Sequence, residues 1–380
     1  MYKRQLVMWA AFLAMLIFGI VMAVLGSVLP SVIVKFDISL VNAGSLFLLM
    51  SLGMLFGSLF FGPVVDRYGY KWLMLVCTAL VFAGIEGIAL APSLPGLKMA
   101  LVLVGFAGGA INGGANALVA DISEKNRGSG LSFLGVFFGI GAFSVPFLLG
   151  SLMGTFQYES LISSVGFLVL IPLLFFSSIR FPESKHNQGF PVREGLGLIK
   201  ERVLLMFGLM LFMQSGLEMV ISGWSATYFK EVLNVESQEA VFLLSVYWFS
   251  LMISRLAIGN LLKKTSHVKV LFISYGIAFA GALLMIGASD KYVAVAGLAL
   301  VGIGFASAFP LILAFVGNTY AKFSGTAFSL VLACGLVGGM LFPWVTGMLA
   351  EWAGLRVAFI LAPASLLASA LIFKTIKNKT

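Results

Sequence analysis

Two pairs of polar side chains interrupt otherwise apolar sequence: Asn112 with Asn116, and Gln214 with Glu218, each pair four residues apart. On a helix that spacing puts both members on one face, one turn apart. Primary amides donate and accept hydrogen bonds at once, which suits a ligand rich in hydroxyls. Ser222 and Ser225 continue the second stripe, with Trp224 and Tyr228 one turn apart, and Tyr247 and Trp248 add a further aromatic pair. Such rings combine flat apolar faces with polar tips, a surface able to stack on the C–H face of a sugar. Glu218 lies near the middle of its apolar run, where a carboxylate is costly and by default a functional hypothesis. Three roles stay open for it: exchanging a proton, accepting two hydrogen bonds from ligand hydroxyls, or pairing with a neighbour. The amides are equally able to tie helices together, and the aromatics to form an interfacial belt.

These residues must be positioned by membrane helices. Of 380 residues 60% are hydrophobic and 10% charged, and the mean hydropathy is +1.07. No soluble domain of this length buries so much apolar surface, so lipid is the solvent. Runs long enough to span a bilayer, which takes about 20 residues, recur at 5–34, 41–63, 72–91, 97–121, 129–156, 160–181, 203–229, 239–262, 269–289, 292–321, 325–350 and 355–375. The sequence thus predicts an all-α membrane protein of twelve transmembrane helices. Its domains are a six-helix bundle over 1–181, a cytoplasmic linker over 182–202 and a second bundle over 203–380. The first run is too long for a signal-peptide core and no small-residue cleavage pattern follows promptly, so it is expected to be retained.

Charge sets the orientation. With both termini in the cytoplasm, only Lys35, Lys98, Lys230, Lys291 and Arg356 of the 24 Lys and Arg face outward, and Arg255 falls inside the eighth span. That is a clear positive-inside bias. It accounts for the net charge of +9 without nucleic acid, since no basic run is interleaved with exposed aromatics. Cys77 and Cys334 lie within apolar runs as small hydrophobes and imply no disulfide framework. Both histidines, His186 and His267, fall in expected loops, and neither cysteine has a histidine or aspartate beside it. A nucleophile–base pair or a metal site at membrane depth is therefore not legible. No catalytic residue, metal or cofactor is expected, and the chain is not expected to be an enzyme.

The two halves repeat. An offset of 197 aligns Gly62 with Gly259, Gly105 with Gly302, Gly128 with Gly325, Gly141 with Gly338, Pro146 with Pro343 and Gly150 with Gly347. An unbroken register over most of the chain points to two parallel six-helix halves related about the membrane normal. By the same offset Asp66 and Arg67 face Lys263 and Lys264, and Asp121 faces Asn318, so the acidic members lie in the first half.

The turn after the second span reads Gly62-Pro63-Val64-Val65-Asp66-Arg67-Tyr68-Gly69-Tyr70-Lys71. It resembles the loop G-x-x-x-D-R-x-G-x-[RK] of major facilitator superfamily transporters. Gly62 is expected to let helices approach, and Gly69 to make the turn. Asp121, Glu124 and Arg127, followed by Gly128, form D-x-x-E-x-x-R-G at the end of the fourth span. Together with Asp66, Arg67 and Lys71 they resemble the superfamily's cytoplasmic charge network. The resemblance implies a gate that closes the inside, with the exposed N–H groups at Ser324-Gly325-Thr326 able to receive Asp66. As isolated loop charges, each pair would contribute under about 1 kcal/mol.

The same resemblance implies that spans one, four, seven and ten line a central cavity, with Asn112 and Asn116 facing Gln214 and Glu218. The stretch N-G-G-A-N-A-L-V-A-D at 112–121 is also similar to the fucose permease-like branch. So are Gly19, Gly26, Leu29 and Pro30, and Glu218 with Ser222-Gly223-Trp224 and Tyr228. That branch implies ion-coupled uptake of monosaccharides, although the first span here lacks an acid that could couple an ion. The expected function is alternating-access import of a small polar solute, a monosaccharide, by proton or sodium symport, from a monomer in a bacterial-type inner membrane. The rival is a proton-coupled exporter of drugs or amphiphiles, for which 35 Phe and 17 Met supply an adaptable lining. Glu86 in the third span is expected to snorkel or pair locally, and Arg255 to anchor the inner end of the eighth.

Overall fold

The computed structural model of the chain describes residues 2–122, 127–182, 201–262, 264–320 and 324–377. Within them the helices are α1 (Arg4–Phe36), α2 (Leu40–Ala89), α3 (Leu94–Ile122), α4 (Arg127–Leu152), α5 (Tyr158–Ser178), α6 (Arg202–Leu233), α7 (Ser237–Leu261), α8 (His267–Gly287), α9 (Lys291–Thr319), α10 (Ser324–Ala353), α11 (Leu355–Ala358) and α12 (Leu361–Lys377). Eleven stretches among the described residues are long and apolar enough to cross a bilayer. One of these, α2, has 50 residues and is broken only at Gly69, so it carries two spans. The closing span runs from Leu355 to Ile376 through α11 and α12. The fold is the expected twelve-span, all-α membrane architecture.

The loop motif is more helical than its charge suggested. The backbone stays helical through Pro63–Tyr68 and turns only at Gly69, whose φ of 80° is readily open to glycine alone. Gly62 makes no close approach, because a Cβ added there meets nothing within 4 Å. A loop-spacing glycine and a packing glycine look the same in sequence.

Among the described residues six prolines lie inside helices beyond the first turn, at 30, 63, 146, 172, 310 and 343. Membrane helices tolerate them because neighbouring groups satisfy the freed carbonyls. Helix ends follow local chemistry. Asp290 accepts from the N–H groups of Tyr292 and Val293 to start α9, and Ser266 from Lys269 to start α8. Asp37 and Asn234 end α1 and α6 in the left-handed region, at φ 46° and 53°. Among the described residues they are the only non-glycines with positive φ. They are 197 residues apart, so the sequence repeat recurs in the backbone.

The chain forms two compact units. One takes the chain through Ile38, Leu46 through α5, and Glu236–Trp248; the other takes Ser39–Ser45, α6 to Val235, and Phe249 onward. In the first, α1 packs on α4 at backbone contact: a Cβ on Gly141 would lie 2.0 Å from the Leu16 carbonyl oxygen, and one on Gly19 2.1 Å from that of Phe138. In the second, α6 packs on α10 in the same way, with the Gly338 position 1.9 Å from the Phe212 carbonyl oxygen. The repeat extends to Gly84, which faces Ala100 and Val104, and Gly281, which faces Gly297 and Val301. All three positions keep the offset of 197. Most of the expected linker, 183–200, lies outside the described residues.

Candidate functional site

Helix α6 carries the polar stripe at its middle. Gln214 and Glu218 face the same way, and the Gln214 amide donates from Nε2 to Glu218 Oε1 at 3.0 Å. Gln214 is buried, and its Oε1 accepts no hydrogen bond among the described residues. A buried acceptor left open costs about 1–3 kcal/mol, so the position favours any donor that enters. Arg255 of α7 lies near enough for its charge to act on Glu218. The expected anchoring of the inner end of its span by Arg255 did not include this proximity. The offset could not find this proximity, because it aligns equivalent positions of the two halves and says nothing of contacts inside one half.

Helix α3 carries the second amide pair, in the first unit. Asn116 donates from Nδ2 to both the backbone oxygen and Oδ1 of Asn112, at 2.9 and 3.0 Å. Asn116 is exposed and Asn112 half-buried, so the Asn116 side chain presents its own Oδ1 to whatever approaches.

The aromatic residues divide. Trp224 and Tyr228 have no exposed surface, and both polar tips are spent on backbone. Trp224 Nε1 donates to the Pro343 carbonyl at 3.1 Å, and the Tyr228 hydroxyl to that of Met285 at 2.9 Å. The Tyr228 ring also lies against Phe359, with centroids 4.6 Å apart. In this structure both rings act as packing between helices of the second unit. Trp224→Phe is therefore expected to lower thermal stability by about 1 kcal/mol, the net value of one hydrogen bond. Ligand affinity should stay unchanged, and unfolding and binding measured on one sample would separate the two roles.

Tyr247 and Trp248 are buried in the first unit, with ring centroids 5.0 Å apart. Trp248 meets Phe138 of α4 edge-on, and its Nε1 donates to no group among the described residues.

The expected gate residues are only partly brought together. Asp121 accepts from the Tyr70 hydroxyl at 2.8 Å, and Asp66 lies near enough to Tyr70 for its charge to act on it. Lys71 donates to the Ser177 and Ile179 carbonyls at 2.9 and 3.1 Å. There its charge meets the negative end of α5. Arg67 is exposed, its guanidinium 5.3 Å from the Tyr68 ring centre. Glu124 lies outside the described residues, as does the Arg127 side chain. Tyr70, which donates to Asp121, was missed because it occupies a variable position of the loop motif. Glu86 pairs locally, accepting from the Ser163 hydroxyl at 2.8 Å. Gly166 leaves room for it, since a Cβ there would fall 2.5 Å from Glu86 Oε1.

Known proteins are similar to this chain in sequence and in fold. The sequence profile of the Major Facilitator Superfamily matches residues 11–320. An uncharacterized transporter, y4wD, of Sinorhizobium fredii is 26% identical over 94% of this chain and 95% of its own. The glucose/mannose transporter GlcP of Bacillus subtilis is 21% identical over 87% of this chain and 84% of its own. The solved structure of a point mutant of the nucleoside transporter NupG superposes with a TM-score of 0.83 at 16% identity, covering 98% of this chain and 99% of that one.

Proposed function

The chain belongs to the major facilitator superfamily, and on that premise we propose that it imports a monosaccharide by alternating access, in symport with a proton. It is an integral, multi-pass membrane transporter and not an enzyme. The finer reading rests above all on one observation, the Gln214–Glu218 pair with a buried amide oxygen still open. A neutral, multiply hydroxylated solute supplies the donors that such a group lacks. The name of the GlcP relative, a glucose/mannose transporter, and the resemblance to the fucose permease-like branch support the same substrate class.

Gln214 and Glu218 are the residues to which solute contact is assigned, with Glu218 carrying the coupling proton and Arg255 its counter-charge. Asn112 and Asn116 offer the same chemistry in the first unit. Trp248, with its open N–H, and Tyr247 are retained as contacts, whereas Trp224 and Tyr228 serve as supporting walls. Asp66, Arg67, Lys71 and Asp121 form the cytoplasmic gate, joined by Tyr70, with Glu124 and Arg127 added by the motif. The domains are taken as 1–181 and 203–380 joined by 182–202. A monomer is proposed, in a bacterial-type inner membrane with both termini cytoplasmic.

A thermal-shift panel on purified protein tests the substrate class. Monosaccharides, disaccharides, a nucleoside and a lipophilic cation are compared on wild type and Gln214→Ala. A ligand at a hundred times its Kd stabilises the native state by about 2.7 kcal/mol. A shift with a monosaccharide that the variant loses is the expected result. Stabilisation by the lipophilic cation alone would replace sugar import with export of amphiphiles.

A further inference from the structure

The first unit has an apolar groove that the transport reading leaves unused. It lies between the two halves of α2 and the middle of α3, encloses about 310 Å³, and is walled by Phe60, Phe61, Tyr68, Trp72, Val76 and Phe106. That volume is about twice the 150 Å³ of a dry apolar cavity able to hold benzene. Trp72 is 61% exposed and Phe60 55%, so the groove opens on the outside of a membrane-spanning unit. Its surroundings there are lipid chains, and its walls are almost wholly apolar.

The mouth has different chemistry. Tyr68 and Trp72 stand where the loop motif enters, as aromatics do at a membrane interface. Arg67 sits over Tyr68 and makes no ion pair among the described residues. Of the neighbouring charges, Lys71 and Asp121 are held by hydrogen bonds. Lys71 is bound to carbonyls at the end of α5, and Asp121 accepts from the Tyr70 hydroxyl. The cation at the mouth is thus Arg67, and a guanidinium binds a phosphate through paired N–H donors. An exposed cation above a chain-sized apolar groove matches one class of molecule.

We propose that this groove binds an anionic phospholipid, with its phosphate on Arg67 and one acyl chain between Phe60 and Trp72. The site shares Arg67 with the proposed gate but none of the solute contacts, so it stands or falls without the monosaccharide reading. Native mass spectrometry of the detergent-purified full chain, offered phosphatidylglycerol or phosphatidylcholine of equal chain composition, tests it. Wild type is expected to retain one phosphatidylglycerol with at least about tenfold preference, equivalent to about 1.4 kcal/mol. Arg67→Gln should bring the two lipids to parity. Val76→Trp, which fills the groove from an exposed position, should lose both; if it does not purify, Trp72→Ala removes a wall and carries the same expectation. Equal binding of the two lipids to wild type would overturn the proposal. So would a preference that survives Arg67→Gln, or retention of lipid by the groove variants. A doubled protein mass in place of bound lipid, abolished by Val76→Trp, would assign the groove to a second copy of the chain instead.

Discussion

Glu218→Gln should abolish accumulation of the solute against its gradient while leaving exchange of labelled for unlabelled solute close to wild type. The magnitude follows from the driving force. One proton moving down a gradient of one pH unit supplies about 1.4 kcal/mol, or tenfold accumulation. A membrane potential of 100 mV adds about 2.3 kcal/mol per charge moved, and the two together support an inside-to-outside ratio of several hundred. Glutamine keeps the shape of the side chain, and its amide oxygen can still accept from Gln214 Nε2, but it cannot carry a proton. In proteoliposomes with an imposed inward proton gradient, the ratio should therefore fall to one. Counterflow should persist, since it needs binding and the conformational change but no coupling. Loss of both activities would make Glu218 a binding residue alone, and retention of both would remove it from the mechanism. Arg255→Ala should mimic part of the defect by taking away the charge that acts on Glu218, and Arg255→Lys should restore it. If a sodium gradient drives accumulation instead, wild type will respond to sodium and ignore the proton gradient.

The fold was largely legible because its signals are periodic and strong. Long apolar runs leave few alternatives to spans, and glycines at an offset of 197 reveal the repeat before any contact is known. Gly84 and Gly281 confirm it in space, each set against the next helix of its own half. Asp37 and Asn234 were silent by comparison. A left-handed cap is a property of backbone geometry, and a single polar residue between two apolar runs reads only as a loop.

The candidate site was legible in type but not in partnership. The four-residue spacing of Gln214 and Glu218 predicted a shared face, and the hydrogen bond follows from it. Whether an aromatic ring faces a ligand or another helix depends on the neighbouring helix, which local spacing does not contain. Trp224 and Tyr228 have the backbone carbonyls of Pro343 and Met285 within reach, whereas the Trp248 N–H finds no acceptor among the described residues. The same limit hid Arg255, whose partner sits on a different helix, and Tyr70, whose hydroxyl meets an acid from the far end of α3.

Gly338→Leu should be the most destabilising single change of this size in the second unit. At position 338 helices α6 and α10 meet with no side chain between them, and even a Cβ there would lie 1.9 Å from the Phe212 carbonyl oxygen and 2.6 Å from its carbon. Neither atom is the end of a flexible side chain, so the helices must separate. Small residues permit the close packing that drives helix association in lipid, and separation forfeits those contacts along the whole seam. Overpacking costs about 1–3 kcal/mol and occasionally more. With a melting point that falls about 2–4 °C per kcal/mol for a cooperative unit of roughly this size, the upper end predicts a loss of about 6–12 °C. Gly141→Leu should produce an equal loss in the first unit, where the corresponding distance to the Leu16 oxygen is 2.0 Å. Gly276, where an added Cβ meets nothing within 4 Å, supplies the control. There substitution by alanine should leave the melting point unchanged or raise it, since glycine is up to about 1 kcal/mol the poorer helix former. Thermal unfolding of all three variants in one detergent measures this. Equal melting points for Gly338→Leu and the control would mean that backbone contact at the α6–α10 seam does not hold the unit together.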